Sequence, residues 1–163
     1  KKGDVFFIPA GTLHAIGEGL LIAEIQQNSD TTYRVYDWNR VDSSGKPREL
    51  HIQKALDVTN LSDCIGHEKV EGTVTKEGEN IRHHLVSCKY FITEILEIQK
   101  ESKERLNGDK FDLLMAIEGN GVIEYREGAV PFKAGDSFFM PASIGDYSIA
   151  GQCKVIKTYV PVR

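Results

Sequence analysis

Residues 3–10 read Gly-Asp-Val-Phe-Phe-Ile-Pro-Ala, and residues 135–142 read Gly-Asp-Ser-Phe-Phe-Met-Pro-Ala. Six of the eight positions are identical, and Ile8 against Met140 exchanges two apolar side chains of similar volume. In each copy a Gly permits a tight turn before the apolar run, and a Pro ends the run by withholding a ladder donor. A strand that begins at Gly-Asp and ends at Pro-Ala therefore occurs twice, and two related β-units are the simplest reading. Just beyond the repeat the copies diverge. Gly11-Thr12-Leu13-His14 follows the first and Ser143-Ile144-Gly145-Asp146 the second, so an imidazole in one unit stands where a carboxylate stands in the other.

Working outward, the chain is a series of short β-type runs broken by Gly, Pro, Asn and Asp. Val5–Ile8, Leu20–Ile25 and Thr31–Trp38 are predicted strands in the first part. Ile81–Val86, Tyr90–Ile98, Phe111–Ile117, Gly121–Tyr125, Ser137–Met140 and Lys154–Val160 are predicted strands in the second. One short helix is predicted at Glu49–Asp57 from the approximate helical spacing of its apolar residues. Leu61–Asn80 is polar and reads as a connection. Lys100–Arg105 reads as a solvated charged loop, and Gly119-Asn120-Gly121 as a hairpin turn. Many short strands at close spacing imply an all-β sandwich or barrel.

The chain has 163 residues, 40% hydrophobic and 27% charged, with a formal net charge of −4. A weakly acidic balance excludes nucleic acid and anionic membrane as the main partner but leaves room for a phosphorylated small molecule. No apolar run is long enough to span a bilayer. The chain opens without Met on a turn leading into a strand, which reads as the continuation of a longer chain. Cys64, Cys88 and Cys153 form no C-x-x-C pair and are expected to be packing residues in a reducing, cytoplasmic setting.

Taken alone, His14 reads as a histidine capping a strand end rather than a ligand, and Arg34 as a solvated strand arginine. Arg34, Thr32 and Tyr36 share one face of a predicted strand. Glu24 lies among Ile22, Ala23 and Ile25, where burial would raise its pKa and suit it to proton transfer. A hydrogen-bonding acid inside a barrel remains an equal alternative for Glu24. His83 and His84 point to opposite faces of one strand and cannot chelate together, and His51 and His67 have no metal-like spacing.

The segment from Gly3 to His14 resembles the second sequence motif of cupins. Ile22-Ala23-Glu24-Ile25-Gln26-Gln27-Asn28-Ser29-Asp30-Thr31-Thr32-Tyr33-Arg34-Val35-Tyr36-Asp37-Trp38, with Arg48-Glu49-Leu50-His51-Ile52-Gln53-Lys54-Ala55-Leu56, resembles the short bacterial form of type I mannose-6-phosphate isomerase. The likeness is specific over residues 3–57 and looser beyond. It implies cupin-type jelly-roll barrels. Residues 1–60 would be the C-terminal part of a catalytic barrel, and 61–163 a linker and a second, degenerate cupin-like unit, with a short helix between.

The resemblance implies interconversion of mannose 6-phosphate and fructose 6-phosphate through an enediol stabilised by a Lewis-acid metal. It implies one zinc per full-length chain, with His14 as a ligand and the remaining ligands upstream of Lys1. It places Arg34 at the active site, where a guanidinium meets phosphate or enediolate. Glu24 and Asp30 match acidic positions near the pocket as acid/base or orienting groups. The isolated chain is expected to be inactive, because one imidazole cannot enforce a zinc geometry. The second unit, with Asp146 in place of the His, is expected to hold no metal. A non-catalytic cupin module that binds sugar or packs on a partner stays open as the alternative. Oligomeric state is undetermined by sequence.

Overall fold

The computed structural model describes residues 1–61 and 69–162. Cys64 and His67 lie outside the described residues, as does most of the first half of the connection read at Leu61–Asn80. The chain divides into two units, Lys1–Lys69 and Val70–Arg163.

All the strands among the described residues lie in the second unit: β1 (Thr73–Glu77), β2 (Asn80–Ser87), β3 (Ile92–Ile98), β4 (Glu101–Arg105), β5 (Asp112–Tyr125), β6 (Gly128–Lys133), β7 (Ser137–Met140) and β8 (Asp146–Tyr159). Every pairing is antiparallel. The 14-residue strands β5 and β8 pair with each other along their whole length, from Asp112↔Tyr159 to Tyr125↔Tyr147. The first half of β5 also pairs with β7, and its second half with β6. The two ends of β8 likewise pair with β4 and with β3. One eight-stranded antiparallel sheet, with β5 and β8 each pairing three strands, makes a mostly β jelly-roll, the class that the turn-punctuated sequence implies. Its core is built from Leu96, Ile98, Leu114, Ala116, Ile149 and Val155 with their neighbours.

Two readings from sequence are corrected here. Gly119-Asn120-Gly121 is not a hairpin turn but the bend of β5. A Cβ at Gly119 would stand 2.1 Å from the Gln152 carbonyl oxygen, so the glycine serves close strand approach beside a bulge at Ala116/Glu118. Lys100–Arg105 is not a solvated loop: it contains β4, in which Ser102 is buried while Glu101 and Lys103 face solvent. Charge density disguised the alternation.

The first unit holds α1 (Ile52–Val58), starting three residues later than the sequence suggests, and one isolated bridge, Val41↔Pro47. The predicted strands Val5–Ile8, Leu20–Ile25 and Thr31–Trp38 form no ladder among the described residues. The repeat explains why. Asp4 N–H donates to Lys1 O at 3.0 Å and Asp136 N–H to Lys133 O at 3.1 Å. Thr12 N–H donates to Pro9 O at 3.2 Å and Ile144 N–H to Pro141 O at 3.0 Å. Gly3 and Gly135 have φ of +87° and +98°. Both copies thus adopt the same turns, which are local. Only the second has a partner, β5, so only the second is a strand.

Candidate functional site

In the first unit, residues 34–51 form an irregular hairpin. Its tip is an Asx turn: Asp42 Oδ1 accepts from the backbone N–H of Ser44 at 2.8 Å and of Lys46 at 3.0 Å. Its two sides are clamped by an ion pair in which Arg48 reaches both carboxylate oxygens of buried Asp37, Nε–Oδ2 being 2.7 Å. That fork holds the Asp37 carboxyl below the usual carboxylate range, helped by the fields of Arg34 and Arg40. Trp38 and Asn39 turn the chain with φ of +49° and +54°, which is uncommon for non-glycine residues. Three guanidinium groups around one carboxylate leave the patch net positive.

Arg34 sits in this hairpin, half-buried. Its carbonyl accepts from His51 N–H at 2.7 Å, and its own N–H donates to His51 Nδ1 at 3.2 Å. The guanidinium makes one protein hydrogen bond, a long one from Nη1 to Glu49 O at 3.4 Å. Its other donors face no protein acceptor among the described residues, which suits an anion.

His14 is exposed, and its Nδ1 lies 2.8 Å from Thr12 O. That bond places the proton on Nδ1 and leaves the Nε2 lone pair open, the tautomer a metal ligand needs. Glu24 and Asp30 are both exposed, so the burial read for Glu24 from its apolar neighbours is not what the structure has. No hydrogen bond or ion pair among the described residues joins any two of His14, Glu24, Asp30 and Arg34, and no group of three metal-ligating side chains occurs among them.

The second unit has its own buried charges. Arg82 bonds Glu94 at 2.8 Å, Glu104 at 2.7 Å and Glu77 at 2.7 Å. Lys157 bonds Glu104 and stands 3.4 Å from Asp112 Oδ2, the oxygen that also accepts from the Tyr147 hydroxyl at 2.7 Å. Burial opposes the charge on Arg82, but the bonds to Glu77, Glu104 and Glu94 outweigh it and raise its pKa. Burial pushes the Tyr147 hydroxyl up as well, aided by Asp112. Asp146 is not part of this network. It lies at the surface, 3.5 Å from Arg105, with both side chains 78% exposed.

Residues 80–160 match the family model described as mannose-6-phosphate isomerase, cupin domain. A putative mannose-6-phosphate isomerase of Bacillus subtilis is 39% identical over 160 residues, covering 98% of this chain and 50% of its own length. The chain belongs to the mannose-6-phosphate isomerase family. A second family member from Bacillus subtilis, a mannose-6-phosphate isomerase, is 37% identical over 166 residues, again covering 98% of this chain and 50% of the relative. The crystal structure of the mannose 6-phosphate isomerase from Bacillus subtilis superposes with a TM-score of 0.70 at 34% identity, over 81% of this chain and 41% of that one. A Streptomyces protein, PAC13, shares the fold alone, with a TM-score of 0.51 at 16% identity over 56% of this chain and 77% of its own. The chain spans about half the length of the curated relatives it matches.

The hairpin clamp and His51 escaped the sequence reading. Arg48 and His51 stand within the stretch most specific to the family, but His51 has no metal-like spacing. Its use of Nδ1 toward a backbone N–H has no spacing signature. Among the described residues, no helix is long and apolar enough to cross a membrane.

Proposed function

We propose that the chain is half of a zinc-dependent mannose-6-phosphate isomerase of the cytoplasm, and that its first unit supplies part of the active site. The observation that carries the reading is the likeness to mannose-6-phosphate isomerases across 98% of the chain. Two features of the first unit support it. Phe6, Leu20, Leu21 and Ile22 are exposed, a surface suited to the strands that would complete a catalytic barrel. The net-positive hairpin suits a sugar phosphate.

His14 would hold the metal through Nε2, with Thr12 O fixing the ring, and the other ligands would come from the part of the natural chain upstream of Lys1. A bound zinc polarises the substrate oxygens as a Lewis acid. Isomerisation takes a proton from C2 of the aldose and returns it to C1, while the O2 proton leaves and O1 gains one. Negative charge grows on the sugar oxygens between those steps. Arg34 faces that charge or the phosphate, and Glu24 and Asp30 serve as acid/base or orienting groups. Arg34 cannot ligate metal, since a guanidinium has donors only.

Arg34→Ala in the complete natural chain separates these roles. If Arg34 meets the developing charge, kcat falls by about 10²–10³ with zinc content unchanged. If it holds the phosphate, KM rises at nearly constant kcat. Conversion of mannose 6-phosphate to fructose 6-phosphate is followed with zinc measured in the same preparation. Unchanged kcat/KM removes Arg34 from the site, and absence of turnover by the wild-type chain refutes the function.

A further inference from the structure

The seven-residue helix α1 connects the two segments that carry His14 and Arg34. At its start, His51 is the N-cap residue: its carbonyl accepts from Ala55 N–H at 2.9 Å, while its backbone N–H and its Nδ1 bond both backbone groups of Arg34. The His51 ring also packs against Tyr33, with centroids 6.2 Å apart. Just past the other end, Asn60 N–H donates to Gly11 O at 2.9 Å, three residues before His14. Gly11 has φ +87°, and a Cβ there would stand 2.9 Å from Val58 O, the last helical carbonyl. In the middle, Ala55 is buried with 4% exposure and pins the helix to its unit. A helix of this length spans roughly 10 Å.

We propose that α1 is a strut that fixes the separation of the His14 and Arg34 segments, with His51 and Gly11 as the positioning residues at its ends. This rests on the reading that Arg34 and His14 belong to one active site. His51 does no chemistry on the substrate. It must be an acceptor at Nδ1, because the group facing that nitrogen is the Arg34 N–H. The ring proton therefore sits on Nε2, on the side of Glu49 Oε2, 3.9 Å away. Both backbone groups of Arg34 are held by His51, so the Cα–Cβ bond of Arg34 leaves the hairpin in one direction.

The chemistry of the acceptor sets the test. Asn places its amide oxygen near the position of Nδ1, whereas Leu offers no acceptor. In the complete natural chain with its metal bound, His51→Leu is expected to lower kcat/KM for mannose 6-phosphate by about 10–100-fold, with metal content and far-UV spectrum unchanged. His51→Asn restores activity to within a few-fold of wild type. Gly11→Ala acts at the other end and weakens metal affinity, read by chelator competition without any assay of turnover. Independently of folding of the variants, ¹⁵N shifts of the wild-type His51 ring must show an unprotonated Nδ1. Wild-type activity in His51→Leu, equal loss in the Asn and Leu variants, or a protonated Nδ1 overturns the strut while an inactive Arg34→Ala leaves the proposed function standing. An Arg34→Ala variant with wild-type kcat/KM removes Arg34 from the site and the strut with it, and absence of turnover by the wild-type chain refutes the function on which the strut rests.

Discussion

Replacing Arg82 by Met tests what holds the second unit together. The guanidinium is 12% exposed and lies against Glu94 and Glu104, whose side chains are 4% and 7% exposed; Glu77, at 40%, is too wet to count. Met keeps the apolar stem and deletes the charge. Glu94 then retains only His84 at 2.8 Å and the Tyr159 hydroxyl at 3.3 Å, and Glu104 retains Lys157 and Ser102. Two buried carboxylates each lose one charged hydrogen bond of about 1.5–3 kcal/mol, so the cost is about 3–5 kcal/mol. Against a domain stability of roughly 5–15 kcal/mol, that loss is large. Far-UV circular dichroism in urea reports it, since the strands lie in this unit. With an m-value of about 1.5–2 kcal/mol/M, the midpoint falls by about 2 M. Arg105→Ala, from the exposed pair with Asp146, is the control and shifts stability by about 0.5 kcal/mol or less. If Arg82→Met costs under about 1 kcal/mol, or no more than Arg105→Ala, the buried network is not what stabilises the sheet.

Acid should unfold the same sheet. Burial would raise the Glu104 pKa, but Lys157 and Arg82 outweigh it and hold the group below its ordinary 4.5. A depressed carboxylate contributes its stability fully above the unfolded value and loses it as pH falls through the folded one. Stability should therefore drop below about pH 4.5, and Glu104→Gln should flatten that limb; an unchanged acid limb in the variant contradicts the assignment. Burial pushes the Cys153 thiol up, so an aromatic disulfide reagent at neutral pH should modify it only after unfolding. The second unit should add no metal to the chain: Asp146→Ala should leave metal content as in wild type, and loss of a bound metal in that variant would show a site there.

The β class and the second-unit strands were legible because each run carries its own punctuation and its own alternation. Ser137–Met140 coincides with β7, and Lys154–Val160 lies largely within β8. Misreadings arose where the deciding contact was remote. Gly119 looks like a turn until Gln152 is placed 2.1 Å from its absent side chain. Glu101–Arg105 looks like a solvated run until Arg82 and Lys157 converge on Glu104. Val5–Ile8 has the same local signals as Ser137–Met140, yet a ladder depends on a neighbour that no local signal supplies. For the candidate site, His14 and Arg34 were reached through likeness to a family, because a lone imidazole and a lone guanidinium carry no spacing. His51 and Asp37 act through backbone and through a clamp, and neither leaves a pattern in one sequence.

The repeat adds one further step. Both copies close their turns with the same hydrogen bonds, at Thr12 and at Ile144, but the backbones diverge there, with positive φ at Gly11 in the first and at Gly145 in the second. In the second unit Asp146 turns to the surface, and the next residue, Tyr147, is buried and donates to Asp112. The acids of the interior, Glu94, Glu104 and Asp112, then face Arg82 and Lys157, two cations carried by the chain itself. A divalent ion entering there would have to displace an ammonium and a guanidinium already bonded to these carboxylates, leaving Lys157 buried without its Glu104 partner and Arg82 with Glu77 alone, at a cost of several kcal/mol. Exchanging Asp146 for His is expected to create no metal site, because the interior carboxylates would stay bonded to Arg82 and Lys157. A metal site there is expected only when Lys157→Met and Arg82→Met remove both cations together, which metal analysis of the double variant would test.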